Sequence, residues 1–308
     1  MTQRVNVCPN RPRTIHAMKI KKLLFVTKFE ELGLDALQSL LILRKAGLEH
    51  VVFVNVIERE RVAMRRGTGY NKEAEIRLRE TANIRFIDWA ENLFEQGMEV
   101  GVYIVVGSLV GEVIKAAQKE EADLIVIGRS QKGVVEQLYA GSDITEFLHR
   151  TASPVLVYKY LSESSFALET PFERPLLATD WSPASLKAVD YLKELKEVIK
   201  EIHVVHVAAQ KTLSGSAMAI QKTRKKMRRQ MDEICNTFEA EGIAARSHVY
   251  VGNPEQEIEK AARDCQATLI VMGSSGKASW VERWLGSTPR KIAEKSAYPA
   301  LLIPPEKI

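Results

Sequence analysis

An internal repeat constrains the fold of this chain more than any other feature of its sequence. Small residues and prolines of the first half recur in the second half about 145 positions later. Thr27 and Thr179 align at a slightly larger offset, which places an insertion between the first strand and Gly107. A tandem duplication is therefore predicted. The recurring residues are Gly107, Ala116, Ala117, Gly128, Gly141, Ser142 and Pro154, matched by Gly252, Ala261, Ala262, Gly273, Gly286, Ser287 and Pro299.

Within each half, short apolar runs alternate with stretches of helical periodicity. Runs rich in Val, Ile and Leu, such as residues 51–57, are typical of buried strands. Alternating strands and helices form parallel sheets that right-handed crossovers cover on both faces. We therefore predict an α/β protein with two tandem Rossmann-like or flavodoxin-like domains, each a roughly five-stranded parallel sheet. One long helix is predicted at residues 72–96, with a buried stripe of Ile76, Ile84, Ile87, Ala90 and Phe94.

Breaks in this pattern give the predicted domain boundaries. Residues 1–18 contain prolines and basic residues without periodicity, so we expect a disordered leader, with Met18 as an alternative start. The first domain is predicted at residues 19–160 and the second at residues 174–308. A serine-containing stretch with Pro171 separates them, and we predict a linker at residues 161–173.

Composition narrows the classes of protein that the chain can represent. Its 308 residues carry a formal net charge of +5, a mild excess that favours anionic ligands without indicating nucleic acid. The cysteines Cys8, Cys235 and Cys265 show no CxxC spacing, which is typical of a reducing, cytoplasmic compartment. No apolar stretch is long enough for a membrane-spanning helix. The sequence has no zinc-binding motif of the His-Glu-x-x-His type and no Gly-x-Ser-x-Gly nucleophile elbow of a hydrolase. We expect no metal ion held by protein ligands.

A glycine-rich stretch in the second half is the strongest functional signal. Gly273 and Gly276 follow a buried strand, and Gly286, Ser287 and Thr288 precede a helix with Pro289 in its first turn. Glycines allow close approach of the backbone to a ligand, and free N–H groups and hydroxyls at a helix start attract an anion such as phosphate. On the residues alone, a turn that only joins a strand to a helix is an equal alternative.

With this spacing the chain resembles the universal stress protein family. Gly-x2-Gly-x9-Gly-Ser/Thr after a Val/Ile strand is that family's ATP-binding signature, and the second half carries it without a substitution. The resemblance implies a cytoplasmic nucleotide-binding stress-response protein. It also implies that the last strands of the two domains pair across a pseudo-twofold, so that the monomer is an internal dimer, and that two chains can form a homodimer.

The resemblance also assigns roles in a nucleotide site of the second domain. Asp180 would accept a hydrogen bond from a ribose hydroxyl or from the adenine amine. Val207 would recognise the adenine edge through its backbone groups. Glycines would approach the ribose and phosphates, and Ser287 and Thr288 would bind phosphates. On the residues alone, Asp180 could instead form an Asx turn or cap the helix at Pro183. The predicted nucleotide-binding residues are Asp180, Val207, Met272, Gly273, Gly276, Gly286, Ser287 and Thr288.

The first half departs from the signature. Lys28 replaces the aspartate, Gln131 replaces the second glycine, and Asp143 follows Gly141 and Ser142. A carboxylate beside phosphate donors repels a polyanion, and a glutamine fills space that a glycine leaves open. We predict that the first domain binds nucleotide weakly or not at all and serves a structural role.

Three functional hypotheses remain open on the sequence. The first is a regulatory module that binds ATP or AMP, with Mg²⁺ accompanying the triphosphate and at most weak ATP hydrolysis. The second is an ATPase or nucleotidyl-transfer enzyme that uses Asp180 or His206, and the third is a nucleotide-free interaction scaffold. A basic run at residues 222–229 has the periodicity of a helix with a solvated charged face, and we favour this over nucleic-acid binding.

Overall fold

The computed structural model describes residues 20–27, 32–63, 69–128, 141–159, 170–209, 216–275 and 285–305, without the side chains of residues 141–143. The predicted leader at residues 1–18 and most of the predicted linker at residues 161–173 lie outside these ranges. The end of the predicted linker belongs to the folded second half, because Phe172 is buried at 1% exposure and the Glu173 carbonyl accepts from Lys200 N–H at 2.9 Å.

The first half alternates strands and helices as predicted. The first helix of this half is an α-helix that tightens into a 3-10 helix at Leu41–Ala46. A second 3-10 turn spans Arg59–Val62. The regular elements are β1 (Lys22–Val26), α1 (Leu34–Leu40), β2 (His50–Glu58), α2 (Lys72–Glu95), β3 (Glu99–Gly107), α3 (Leu109–Glu120), β4 (Leu124–Gly128), α4 (Gly141–Arg150) and β5 (Val155–Tyr158).

The second half repeats this order of elements. A 3-10 turn at Lys196–Val198 follows its first helix. The regular elements are β6 (Pro175–Ala178), α5 (Pro183–Lys193), β7 (Glu201–Ala208), α6 (Ala217–Ala240), β8 (Ala244–Val251), α7 (Pro254–Asp264), β9 (Leu269–Gly273), α8 (Ser287–Lys295) and β10 (Ala300–Ile303). None of the helices in the described ranges is long and apolar enough to span a membrane.

The ten strands within the described residues form one sheet, in the order β3-β2-β1-β4-β5-β10-β9-β6-β7-β8. Within each half the five strands are parallel, which confirms the predicted domain fold. The halves join through β5 and β10, which pair antiparallel with Leu156 opposite Leu301. The predicted pairing of the last strands is therefore present, and the monomer has the arrangement of an internal dimer.

The sheet is buried on both faces. Alternate strand residues contribute to two apolar clusters, so that Phe25 and Leu177 lie in one cluster and Leu24 and Leu176 in the other. Each cluster contains residues from both halves. Lys159 strengthens the junction, because its buried ammonium donates to the carbonyls of Ile292 (3.0 Å) and Ser296 (2.8 Å) at the end of α8. Since apolar burial dominates folding free energy, the halves stabilise one another through a shared core.

The buried face predicted for α2 is wrong. Four of the five residues in the predicted stripe are exposed, namely Ile76, Ile84, Ile87 and Phe94, and Ala90 is half-buried. The helix instead buries Ala82, Phe86, Trp89 and Leu93. Phe86 stacks on Phe53 with ring centroids 5.1 Å apart, and Trp89 packs edge-on against the same ring. Aromatic side chains bury more area than isoleucine, so they determine which face of a doubly apolar helix turns inward.

The prediction for the basic run is confirmed in the folded chain. Residues 222–229 lie in α6, which buries Met227, Met231, Ile234, Cys235 and Phe238. The six basic residues of the run are all exposed on the opposite side of the helix. They form a solvated face, as amphipathic helices on a core usually do.

Candidate functional site

A cavity of about 240 Å³ opens at the carboxyl ends of the second-half strands. Its walls come from the ends of β6, β7 and β9 and from the first turns of α5, α7 and α8. Open parallel sheets bind ligands at this edge, where helix N-termini converge on the crevice. The fold therefore places the cavity where a ligand of an α/β domain is expected.

Seven of the eight predicted site residues line this cavity. They are Asp180, Val207, Met272, Gly273, Gly286, Ser287 and Thr288. The eighth, Gly276, lies outside the described residues. Chain segments that are as much as 108 positions apart are thus brought together around one space.

The structure adds lining residues that the sequence analysis did not name. Ser275 lies inside the glycine-rich stretch, and Pro254 follows the repeated Gly252, so both had a sequence signal. Val205 and Ile258 had none, because they are ordinary apolar residues of a strand and a helix. Together with Met272 they give the cavity an apolar wall opposite its polar residues.

The N-terminus of α8 differs from the other two helix starts at the cavity. Ser182 caps α5 and Asn253 caps α7 with side-chain oxygens that accept from first-turn N–H groups. Gly286, the N-cap of α8, has no side chain and makes no such bond. The first-turn N–H groups and hydroxyls of Ser287 and Thr288 are therefore available to a ligand, at the positive end of the helix dipole.

Backbone hydrogen bonds fix this N-terminus against the end of β9. Ser274 N–H donates to the Ile303 carbonyl at 2.8 Å, and Gly286 N–H donates to the Ser274 carbonyl at 2.9 Å. An ion pair of 2.6 Å between Lys291 and Glu255 ties α8 to α7. The donors of α8 are thus positioned by the sheet before any ligand binds, which lowers the entropic cost of binding.

The absence of a side chain at Gly273 has a packing reason. A Cβ atom there would lie 2.6 Å from the Ser185 nitrogen and 2.7 Å from the Ala184 carbonyl carbon. The space beside Gly273 is therefore occupied by the backbone of α5. The family resemblance implies that this glycine approaches the ribose and phosphates, whereas the structure shows close approach to a helix.

Asp180 occupies a rim position with two roles. Its Oδ1 atom accepts from Ser182 N–H at 3.0 Å, which is the Asx turn that the residues alone favoured. The same side chain also lines the cavity. The Asx turn fixes the carboxylate at the cavity edge.

Trp181 and His206 lie away from the cavity. The His206 ring donates from Nδ1 to the Thr179 carbonyl at 2.8 Å, and the Trp181 ring packs on it with centroids 3.9 Å apart. Trp181 packs against the apolar cluster on the other face of the sheet from Val205.

The substitutions in the first half fall where the structure describes no side chains. Lys28 and Gln131 lie outside the described ranges, as does the side chain of Asp143. The weak first site therefore stays a prediction.

The sequence profile described as the universal stress protein family matches residues 19–159 and again residues 171–304. The chain belongs to this family. Both matches together span most of the chain, and the two-domain fold agrees with the tandem arrangement. Membership of the family thus accounts for the internal repeat and for the two domains.

Two relatives within the family each match a stretch of about the length of one domain. Universal stress protein YxiE of Bacillus subtilis is 27% identical over 146 residues, which are 43% of this chain and 99% of that protein. Universal stress protein MJ0577 of Methanocaldococcus jannaschii is 28% identical over 153 residues, which are 43% of this chain and 94% of that protein.

A solved structure matches both domains together. The crystal structure of a universal stress protein from Archaeoglobus fulgidus covers 94% of this chain and 100% of its own, with a TM-score of 0.71 and 24% identity. At this identity the likeness concerns the fold, including the arrangement of the two domains in one chain.

Proposed function

We propose that the protein binds an adenine nucleotide, ATP or AMP, in the second-domain cavity and acts as a nucleotide-dependent stress-response regulator. The observation that carries the proposal is the uncapped N-terminus of α8, which presents Ser287 and Thr288 to the cavity. An anion placed there gains backbone donors, two hydroxyls and a favourable helix dipole. The intact signature in the sequence supports a phosphate as that anion.

The rest of the cavity suits a nucleoside. Val205, Val207, Ile258 and Met272 provide an apolar wall that fits the faces of an adenine ring. Asp180 lies at the rim, where its carboxylate can accept from ribose hydroxyls. Phosphates would lie at α8, the base would lie against β7 and α7, and Mg²⁺ would accompany a triphosphate.

The cavity offers little for catalysis. Among the described residues that line it, Asp180 is the only acidic or basic side chain, and one of its oxygens is held by Ser182 N–H. His206 bonds to a backbone carbonyl and does not line the cavity. A general base must reach the proton that it removes, so we expect hydrolysis to be weak. Regulation by binding is therefore favoured over the enzyme hypothesis.

A matched pair of serines tests the location of the site. Ser287→Ala removes one hydroxyl donor to phosphate and should weaken ATP binding about tenfold, the effect of one hydrogen bond to a charged group. Ser142→Ala makes the same change at the equivalent position of the first domain and should leave affinity unchanged. Isothermal titration calorimetry of both full-length variants with ATP and AMP measures the difference. Equal effects of the two substitutions would contradict the proposed location.

A further inference from the structure

Two histidines and a cysteine meet beneath α7, on the same face of the second-half sheet. His203 lies on β7, and His248 lies on β8 opposite Val205, so both side chains project from one face. Cys265 is the residue that ends α7, and that helix covers this face. The three residues come from three elements, which is why no short sequence motif revealed them.

The distances within this cluster match those of a shared tetrahedral metal ion. His203 Nδ1 lies 3.2 Å from His248 Nε2, and His248 Nε2 lies 3.8 Å from Cys265 Sγ. All three ligand atoms lie within 4.8 Å of one another. Zinc bonds of about 2.0–2.1 Å to nitrogen and 2.3 Å to sulfur place two nitrogens about 3.3 Å apart and a nitrogen and a sulfur about 3.6 Å apart.

The second nitrogen of His203 provides independent support. His203 is 5% exposed, and its Nε2 atom has no hydrogen-bond partner among the residues that the structure describes. Glu201 Oε1 lies 3.9 Å from that nitrogen. Histidine ligands of metals usually donate their other ring N–H to a carboxylate, which orients the ring. Glu201 stands in that position and needs only a small shift to accept the bond.

The chemistry of the three side chains suits a metal ion. An imidazole ligates as the neutral ring, and a cysteine ligates as the thiolate. The Cys265 proton would pass to solvent when a metal–sulfur bond forms, as in other thiolate sites. The positive charge of Arg246 would repel a cation at this cluster. The carboxylate of Glu201 lies 3.7 Å from that guanidinium and offsets its charge.

We propose that His203, His248 and Cys265 bind a divalent transition-metal ion, Zn²⁺, with Glu201 as the carboxylate that orients His203. Two nitrogens and one thiolate suit zinc better than the hard cations Mg²⁺ and Ca²⁺, which take oxygen ligands. His248 and Cys265 are half-buried, so solvent reaches the cluster and supplies the fourth ligand.

This site is separate from the cavity and links to it through α7. Pro254 and Ile258, in the first turns of α7, line the cavity, whereas Cys265 follows the last turn of the same helix. The helix has 11 residues and is therefore about 16 Å long. A metal ion at its far end would hold α7 and the edge strand β8 to β7, and so would stabilise one wall of the cavity.

Cobalt provides a direct probe of the site. Full-length reduced protein titrated with Co²⁺ should bind one ion at this cluster and develop the near-ultraviolet absorption of a cobalt–thiolate bond. Zn²⁺ should displace the cobalt and raise the melting temperature. Cys265→Ser should abolish the thiolate band and weaken Zn²⁺ binding on the order of a hundredfold or more, and Glu201→Gln should weaken it about tenfold.

A second thiol serves as the matched control. Cys235 is buried on α6, outside the cluster, and Cys235→Ser should keep the thiolate band. His248→Ala should lose it, with circular dichroism to check folding. A wild-type protein without the band, or a band that survives Cys265→Ser, would overturn the proposal and leave the two rings as hydrogen-bond partners only.

Discussion

The two halves of the chain form the same backbone hydrogen bonds at the ends of their central strands. In the first half Thr27 N–H donates to the Val54 carbonyl at 3.0 Å, and in the second Thr179 N–H donates to the Val205 carbonyl at 2.8 Å. In each half, the residue after this valine then donates a side-chain hydrogen bond to the carbonyl of the threonine. Asn55 makes it at 2.9 Å and His206 at 2.8 Å.

The side chains around this shared frame differ. β1 ends in Val26, which is 1% exposed, whereas β6 ends in the smaller Ala178, which lines the cavity. Val56 of the first half is 3% exposed, and its counterpart Val207 is half-buried and faces the cavity. The two halves therefore share a backbone arrangement but differ in side chains at the strand ends, where the second half has its cavity.

The largest loss of ATP affinity is expected from a substitution of Thr288, the residue after Ser287. Thr288→Asp copies Asp143 of the first half and places a carboxylate beside the phosphate donors. At 4 Å a unit charge repels another by about 4 kcal/mol in a partly solvated site, so ATP affinity should fall by at least a hundredfold. An acidic residue in a first helical turn favours the helix, so folding should be kept.

Thr288→Asn is the neutral control for this exchange. It has nearly the same size as the aspartate and should weaken ATP binding about tenfold or less, as for the loss of one hydrogen bond. Calorimetric titration of both variants would separate charge from shape. Equal losses would show that the carboxylate of Asp143 does not explain the first domain's weakness.

Filling the cavity should have the next largest effect. Ala178→Val copies Val26 and adds two methyl groups where the base is expected. Overpacking costs about 1–3 kcal/mol, so nucleotide affinity should fall about tenfold. The reciprocal change Val26→Ala should lower the free energy of unfolding and leave nucleotide affinity unchanged, which chemical denaturation and calorimetry would measure. An unaltered affinity of Ala178→Val would exclude this wall from the site.

The smallest effect on nucleotide binding is expected from the repeated glycines at the ends of β3 and β8. Gly252 has φ +152°, a region that favours glycine, and Gly252→Ala should cost on the order of 1–3 kcal/mol. Gly107 does not have a positive φ. An added Cβ there would lie 2.5 Å from Cγ of Glu112, a clash that a change of rotamer of Glu112 can relieve, so Gly107→Ala should cost less. Urea denaturation of both variants tests the order. A larger loss for Gly107→Ala would reverse the comparison.

Much of the fold was predictable because its signals are local and repeated. The alternation of apolar runs and helical stretches gave ten strands in the correct order of elements, and the repeat gave the two domains. The inward face of α2 was not predictable from periodicity, because that helix is apolar on two sides. Only the position of Phe53 on the neighbouring strand decides that Phe86 turns inward.

The site was predictable where residues follow one another in a motif. Ser287 and Thr288 lie beside Gly286 in the sequence, and the structure places all three at one helix start. The packing role of Gly273 was not predictable, since it depends on the approach of α5. The cluster of His203, His248 and Cys265 was likewise hidden, because its members meet only when β7, β8 and α7 have assembled.

Nucleotide stoichiometry tests the central claim most directly. Purified full-length protein would be denatured to release and identify bound nucleotide, and the nucleotide-free protein would be titrated with ATP and AMP by calorimetry. The difference between the halves predicts one adenine nucleotide per chain, lost in Thr288→Asp. Two per chain would contradict the claim that the first domain lacks a competent site. None would contradict nucleotide binding and leave the chain as an interaction scaffold.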